Sequence, residues 1–432
     1  MTTPSVNAPA RADVRGAPAR AVGGFGQIGA ALRELVRTRE LRILLLCNCV
    51  LGMGQSFVTP FLSLFGTQAV KLSLGMFGVF MTLNAVLSIT LSTFLSHRSD
   101  TTYSRRSLLL VSSFAGALGY VGYAFVRDPW LLFVLGGAIL GVASLAFSQL
   151  FACARELVER SELPKREVPL YMNVFRMAFA LSWTVGPAIA AFTLKALSFV
   201  GLFLGAASLY LALFFLIFFF VHDHTPAAAR SRVAAARLRD VLVRRDVLLW
   251  FLALTLMLAA HAMSVTNMSL LVLRALGGNE SQVGVIFSLA PVFELPLMLY
   301  VGLLATRVRT ENLIRASMLV AAVYFVGLSL VQTPAQIYPL QALSAAVVSV
   351  TSGVAITFFQ NKLPHQLGAA TNLYANASRI GSTSSYLTFG LVASHFGHRG
   401  TALACALLAL AALTLTAFAA AYERVDGVGR GL

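Results

Sequence analysis

Leu170–Trp183 reads LYMNVFRMAFALSW, and Leu373–Tyr386 reads LYANASRIGSTSSY. Each begins Leu-Tyr, places Asn two residues on and Arg three after that, and reaches an aromatic residue seven further on. Asn376, Arg379 and Tyr386 lie 203 residues after Asn173, Arg176 and Trp183. On a helix, positions i, i+3 and i+7 share a face, so each copy presents a stripe of Asn, Arg, small residue and aromatic. Both copies sit inside long apolar segments. An Arg about 12 Å inside such a segment cannot face lipid without a cost of some kcal/mol. Both stripes are therefore expected to face protein or a water-filled cavity. The alternative is that each Arg clamps the ends of neighbouring helices, since ancestral packing is also inherited twice.

The surrounding composition sets the solvent. Of 432 residues, 58% are hydrophobic and 12% charged, with a mean hydropathy of +0.79. Roughly a quarter of a soluble domain is charged, so too little polar surface remains here to coat a soluble particle. Apolar runs of about 20 residues suit membrane-crossing helices rather than barrel strands of about 10. The expected fold is an all-α integral membrane protein with twelve crossings in two six-helix bundles.

The expected crossings are 42–66, 73–96, 106–126, 129–154, 168–194, 197–221, 246–272, 281–305, 311–331, 335–360, 367–394 and 399–421. The weakest division, between the fifth and sixth, falls around Lys195 to Val200. On this count one set of loops carries 26 Lys or Arg and the alternate set 5. The positive-inside rule then places both termini in the cytoplasm of a bacterial inner membrane, and accounts for most of the +16 charge without nucleic acid. The expected organisation is a disordered basic tail (1–41), an N-terminal bundle (42–222), a linker (223–245), a C-terminal bundle (246–422) and a short tail (423–432). The first tail has no apolar h-region and is not a signal peptide; attraction to anionic lipid explains its arginines. Thr59 and Thr266, Gly78 and Gly284, and Arg98 and Arg307 also recur near the same offset, so the bundles read as parallel repeats with a site between them.

Few other polar groups lie inside crossings. Glu294 is the one acid well inside, flanked by Pro291 and Pro296, and a lone membrane carboxylate marks a functional site by default. It is read either as a reversible proton carrier or as a permanent ion-pair partner of Arg176. Gln55, Asn84, Gln149, His261, Asn267 and Gln360 are amides or a histidine spread over both halves. Singly, each could be interhelical glue; together they point to a shared polar cavity. Cys47, Cys49, Cys153 and Cys405 lack metal spacing and read as small buried hydrophobes, with no disulfide, metal or cofactor expected. HExxH, GxSxG and Walker sequences are absent, which argues against an enzyme and against ATP drive.

These residues resemble the major facilitator superfamily, and within it the bacterial sugar efflux transporters. The loop LSHRSDTTYSRRSLLL is similar to the superfamily's acidic-basic loop motif at Asp100, Arg105 and Arg106, with Tyr103–Ser104 where that turn carries Gly. The run from Gln149 to Arg155–Glu156, then Arg176, Leu181–Ser182–Trp183 and Gly186–Pro187, matches the efflux family, as do Glu294–Leu295–Pro296, Phe359–Gln360 and Gly368–Thr371. The resemblance implies a monomer with two rocking bundles and a central site. It places Arg176 opposite Glu294 and Arg379 opposite Asn84. Asp100 becomes a cytoplasmic gate latch with Arg105, Arg106, Arg155 and Glu156 around it. Amides would bond sugar hydroxyls, Trp183 and Tyr386 would face a sugar ring, and Glu294 with Arg176 would couple protons to export of a sugar or glycoside. A multidrug or metabolite exporter of the same fold is the rival within transport, and a non-transporting sensor the rival outside it.

Overall fold

A computed structural model describes residues 24–99, 104–161, 163–164, 167–222, 244–363 and 367–429. Asp100, the first 23 residues and most of the expected linker lie outside them. Among the described residues the chain is helical, without strands. Helix α1 spans Gly24–Arg37. The crossings follow as α2 (Arg39–Ala69), α3 (Leu74–Ser99), α4 (Arg105–Phe125) and α5 (Pro129–Arg160). Then come α6 (168–197) and α7 (199–220), α8 (Arg245–Ala275), α9 (Glu280–Leu304), α10 (Thr310–Leu330), α11 (Pro334–Lys362), α12 (367–396) and α13 (398–429). The side where α2 begins is called the near side below, and the side of the α2–α3 turn the far side.

The α6–α7 and α12–α13 pairs run without a loop. Each is divided at one residue of non-helical backbone: Ser198 (φ 58°, ψ −168°) and Gly397 (φ 67°, ψ −172°). The chain reverses there. Gly186 packs on Ser56, while Tyr210 packs on Gly54 at the same level of α2. In an unbroken helix those two positions would stand about 36 Å apart. In the second half, Gly381 meets Thr255 and Ala259 of α8. Asn267 then binds His398 at the break. Thr416 returns to Arg315, which lies over Trp250 at the near end of α8. Among the described residues, ten helical runs are long and apolar enough to cross a membrane, and two of them reverse within the run.

Caps and backbone doublets explain where the crossings stop. Ser104 accepts from the Ser107 amide at the start of α4, and Asp128 from the Leu131 amide beside Pro129. Asn279 and Gln282 close a capping box on α9, satisfying amides that have no helical partner. α2 ends in a π-turn at Phe65–Ala69 and α8 in one at Leu271–Ala275, an offset of 206. Lys71 (φ 61°) and Gly277 (φ 64°) follow, also 206 apart. The repeat inferred from Asn and Arg is thus written in the backbone as well.

The tail departs from expectation. Residues 24–37, expected to be unstructured, form α1, because Ala31 and Leu35 stand one turn apart and bury against the near ends of α2 and α6. The Tyr171 hydroxyl donates to Glu34 across that contact. At the other end α13 continues through Gly429, beyond the expected stop at 422.

Candidate functional site

The two halves meet through residues too small to hold side chains apart. A Cβ on Gly78 of α3 would lie 2.6 Å from the Tyr386 carbonyl oxygen and 2.8 Å from Gly390 Cα in α12. A Cβ on Gly284 of α9 would lie 2.8 Å from the Pro187 carbonyl oxygen and 2.7 Å from Ala191 Cβ in α6. Between these crossings the Ser269 hydroxyl donates to the Pro60 carbonyl, joining α8 to α2. Phe77 and Phe389 meet edge to face at 6.3 Å. All of these contacts lie toward the far-side ends of their helices.

The seal fixes the direction of the stripes. Pro187 and Ala191 touch α9, so Trp183, Ala180 and Arg176, which lie 4, 7 and 11 residues before Pro187, share that face. Tyr386 and Gly390 touch α3, which places Thr383, Arg379 and Asn376 on the same face of α12. Arg176 is 11 residues from Pro187 and Arg379 is 11 from Gly390, while Glu294 is 10 from Gly284. At about 1.5 Å per residue, all three lie roughly 15–17 Å below the seal, in one layer.

Contacts within that layer are electrostatic rather than direct. Arg176 stands close enough to Glu294 of α9 and Tyr374 of α12 for its charge to act on both. It makes no hydrogen bond or ion pair with a described residue, nor do Arg379, Asn173, Asn376 or the Glu294 carboxylate. Asn173, Arg176 and Arg379 are exposed. Of the readings left open for Arg176, a direct ion pair to Glu294 is not formed here, and neither Arg is bonded to a helix end.

Between this layer and the seal sit polar atoms buried without a partner: the Trp183 indole N–H and the hydroxyls of Thr184, Ser288 and Thr383. They come from α6, α9 and α12, the helices that cross at the seal or carry the stripes. A buried donor without a partner costs about 1–3 kcal/mol, so their gathering at one level calls for an explanation. Tyr386 is half-buried in the same region.

The remaining sequence candidates divide. His261 is half-buried in α8 and makes no hydrogen bond with a described residue. Gln360 bonds Thr371 at 3.3 Å, within the second half. Four amides are turned into helix packing. Gln55 lies close to the Tyr210 hydroxyl of α7. Asn84 is buried against Gly136 and Gly137, with its amide on the Phe80 carbonyl. Gln149 is buried and accepts from Arg105 at 3.2 Å. Asn267 holds both the carbonyl and the ring of His398. Each serves one half rather than the space between halves, because the helix rotation that decides this is set by packing.

Around the loop motif, Arg105 bridges to Glu156 at 2.9 Å, tying α4 to α5. Arg106 donates to the Phe218 carbonyl at 2.8 Å. Arg155 pairs instead with Glu159 on the exposed face of its own helix, at 2.8 Å. Sequence reasoning placed Thr383 in the second stripe only as its small residue, and passed over Tyr374, Thr184 and Ser288. Tyr374 was visible as the partner of Tyr171 in the doubled Leu-Tyr, but the two do different work. The hydroxyls carried no signal beyond their place near the stripes.

Comparison with known proteins bears on most of the chain. The family model of the Major Facilitator Superfamily matches residues 44–386. A relative from Deinococcus radiodurans is 36% identical over 374 residues, covering 85% of this chain and 95% of its own. Sugar efflux transporter A of Dickeya chrysanthemi is 32% identical, covering 84% and 92%. Sugar efflux transporter B of Salmonella typhimurium is 32% identical, covering 76% and 83%. Among solved structures, a mutant of the nucleoside transporter NupG superposes with a TM-score of 0.76 over 88% of this chain and all of its own, at 13% identity; it supports the fold alone. The chain is a transporter belonging to the Major Facilitator Superfamily.

Proposed function

We propose that the protein exports small sugars or glycosides across a bacterial inner membrane, with both termini in the cytoplasm. The observation that carries this reading is the layer of Arg176, Arg379 and Glu294, with a partnerless indole N–H and three hydroxyls between it and a glycine-sealed far side. A sugar offers many donors and acceptors on a flat ring. Such a ligand would satisfy those groups and lie against Trp183 and Tyr386. The names of the efflux relatives agree with this chemistry. The near side, where basic loops concentrate, is then the cytoplasmic entrance, and the conformation seen is the one that loads substrate. Asn173 and Asn376 flank the entrance to the layer.

Glu294 and Arg176 supply the coupling. Unpaired but mutually close, they can trade a proton against an ion pair. Protonation of Glu294 releases Arg176 to the substrate, and deprotonation draws it back. A proton and a sugar that prefer different states shift the inward–outward equilibrium in opposite senses. Arg105 and Glu156 brace the cytoplasmic ends of α4 and α5 as part of the gate. The unit acts as a monomer.

The test is uptake of labelled lactose, glucose and a small glucoside into inside-out vesicles, with and without an acid interior. Accumulation driven by the gradient supports the proposal. Failure for all three sugars, with folded protein present, rejects sugars as cargo and directs attention to drugs or other metabolites.

A further inference from the structure

We infer that the outer face of the first half holds one anionic phospholipid, with its phosphate at Arg106 and an acyl chain in a groove between α4, α5 and α7. At the near side, Arg105, Arg106, Arg160 and His222 surround one pocket that contains, among the described residues, a single carboxylate, Glu156, with Glu40 in the adjoining pocket beside His222. Its basic groups outnumber its acids, so it favours an anion. Its volume is only about 20 Å³, room for a phosphate oxygen rather than a whole headgroup, so the headgroup rests on its rim. Arg106 is held facing this place: one terminal nitrogen donates to the Phe218 carbonyl, its guanidinium stands 6.0 Å from the Phe218 ring, and its Nε is buried without a partner.

A second, independent feature continues from the first. Arg106, Leu110, Phe114 and Leu118 follow i, i+4 spacing down one face of α4. Phe218 stacks on Phe214 at 6.0 Å, and Phe214 meets Phe114 at 5.8 Å. Leu110, Phe114, Leu118 and Phe214 line a groove of about 620 Å³ that is closed on the α5 side by Ala138 and Ile139. The π-turn at Leu135–Ile139 borders the deep end of this groove, where α5 packs on Gly119 and Gly122, and π-turns are often found at functional sites. Leu110 to Leu118 lies about 6–18 Å below Arg106, the depth of one leaflet's hydrocarbon, about 15 Å. Val111, Phe114 and Leu118 are half-exposed there, and at that depth lipid is what covers them. The groove selects for a chain and the arginines for a negative headgroup. A basic pocket between crossings on the cytoplasmic side suits an anionic lipid.

Native mass spectrometry of the full-length protein, released from membranes and supplied with phosphatidylglycerol or phosphatidylcholine, tests this. The expected result is a retained phosphatidylglycerol adduct at least 5-fold more abundant than that of phosphatidylcholine. Arg106→Gln should abolish the preference and Arg106→Lys should restore most of it. Ala138→Leu, which fills the groove from its lipid-facing wall, should remove the adduct while leaving thermal stability unchanged. Equal retention of both lipids, or an adduct indifferent to both Arg106→Gln and Ala138→Leu, overturns the inference. So does competition by soluble glycerol phosphate as effective as by the lipid, since that would mark a free-phosphate site.

Discussion

Replacing Gly284 by alanine should open the far side. The added methyl would meet a backbone oxygen at 2.8 Å and a neighbouring Cβ at 2.7 Å. Neither is the end of a flexible side chain, so relief requires α6 and α9 to part. Overpacking of this kind costs about 1–3 kcal/mol, and the cost falls only on the conformation in which the two helices touch. The ratio of far-open to far-closed protein should rise about 5- to 150-fold. A cysteine placed at Thr383, buried between the seal and the arginine layer, reads this out in a background with Cys49 and Cys153 replaced. An impermeant thiol reagent added from the far side should react faster by that same factor. Gly302, on the same helix with open space around it, supplies the control: Gly302→Ala should change nothing. An unchanged rate in folded Gly284→Ala protein would refute the idea that the glycine crossing is the seal.

Three further outcomes are expected. Ser198 holds a left-handed backbone that costs an L-residue about 1–2 kcal/mol, so Ser198→Gly should raise the thermal midpoint, worth roughly 1 kcal/mol, while Gly397→Ala should lower it by a similar amount; a thermal unfolding scan decides both. Asn267→Ala removes two bonds to His398 at the α12–α13 reversal and should destabilise the protein by about 1–3 kcal/mol, with sugar affinity unchanged in the surviving folded fraction. Arg379→Gln should weaken sugar binding measured at equilibrium about tenfold or more, whereas Arg155→Gln, on a surface pair exposed to solvent, should leave binding and transport as they are.

Much of the architecture could be read from residues alone because lipid forces it. Apolar runs of helical length located every long helix to within a few residues at most ends. Even the uncertain division near Lys195 fell where Ser198 reverses the chain. The doubled Asn and Arg were equally legible, since a charge inside a crossing is costly wherever it faces. What was not legible was rotation. Gln55, Asn84, Gln149 and Asn267 looked like cavity residues because composition records that an amide is present, not which neighbour its helix turns it toward. The arginine stripes avoid that ambiguity because their long charged groups have no place in a one-half core. Helix α1 was missed for a related reason: Pro, Gly and Arg dominate the tail's composition, while its folding depends on two small contacts, Ala31 and Leu35.

The proposed exchange of sugar for protons through Glu294 can be observed directly. The direct measurement is lumenal pH in inside-out vesicles, read by a trapped dye as unlabelled transported sugar is added outside. Wild-type vesicles should turn alkaline inside on sugar addition. Glu294→Gln vesicles should show no pH change while still equilibrating labelled sugar down its gradient. Sugar entry into wild-type vesicles with no pH change, or an equal change in Glu294→Gln, would contradict it.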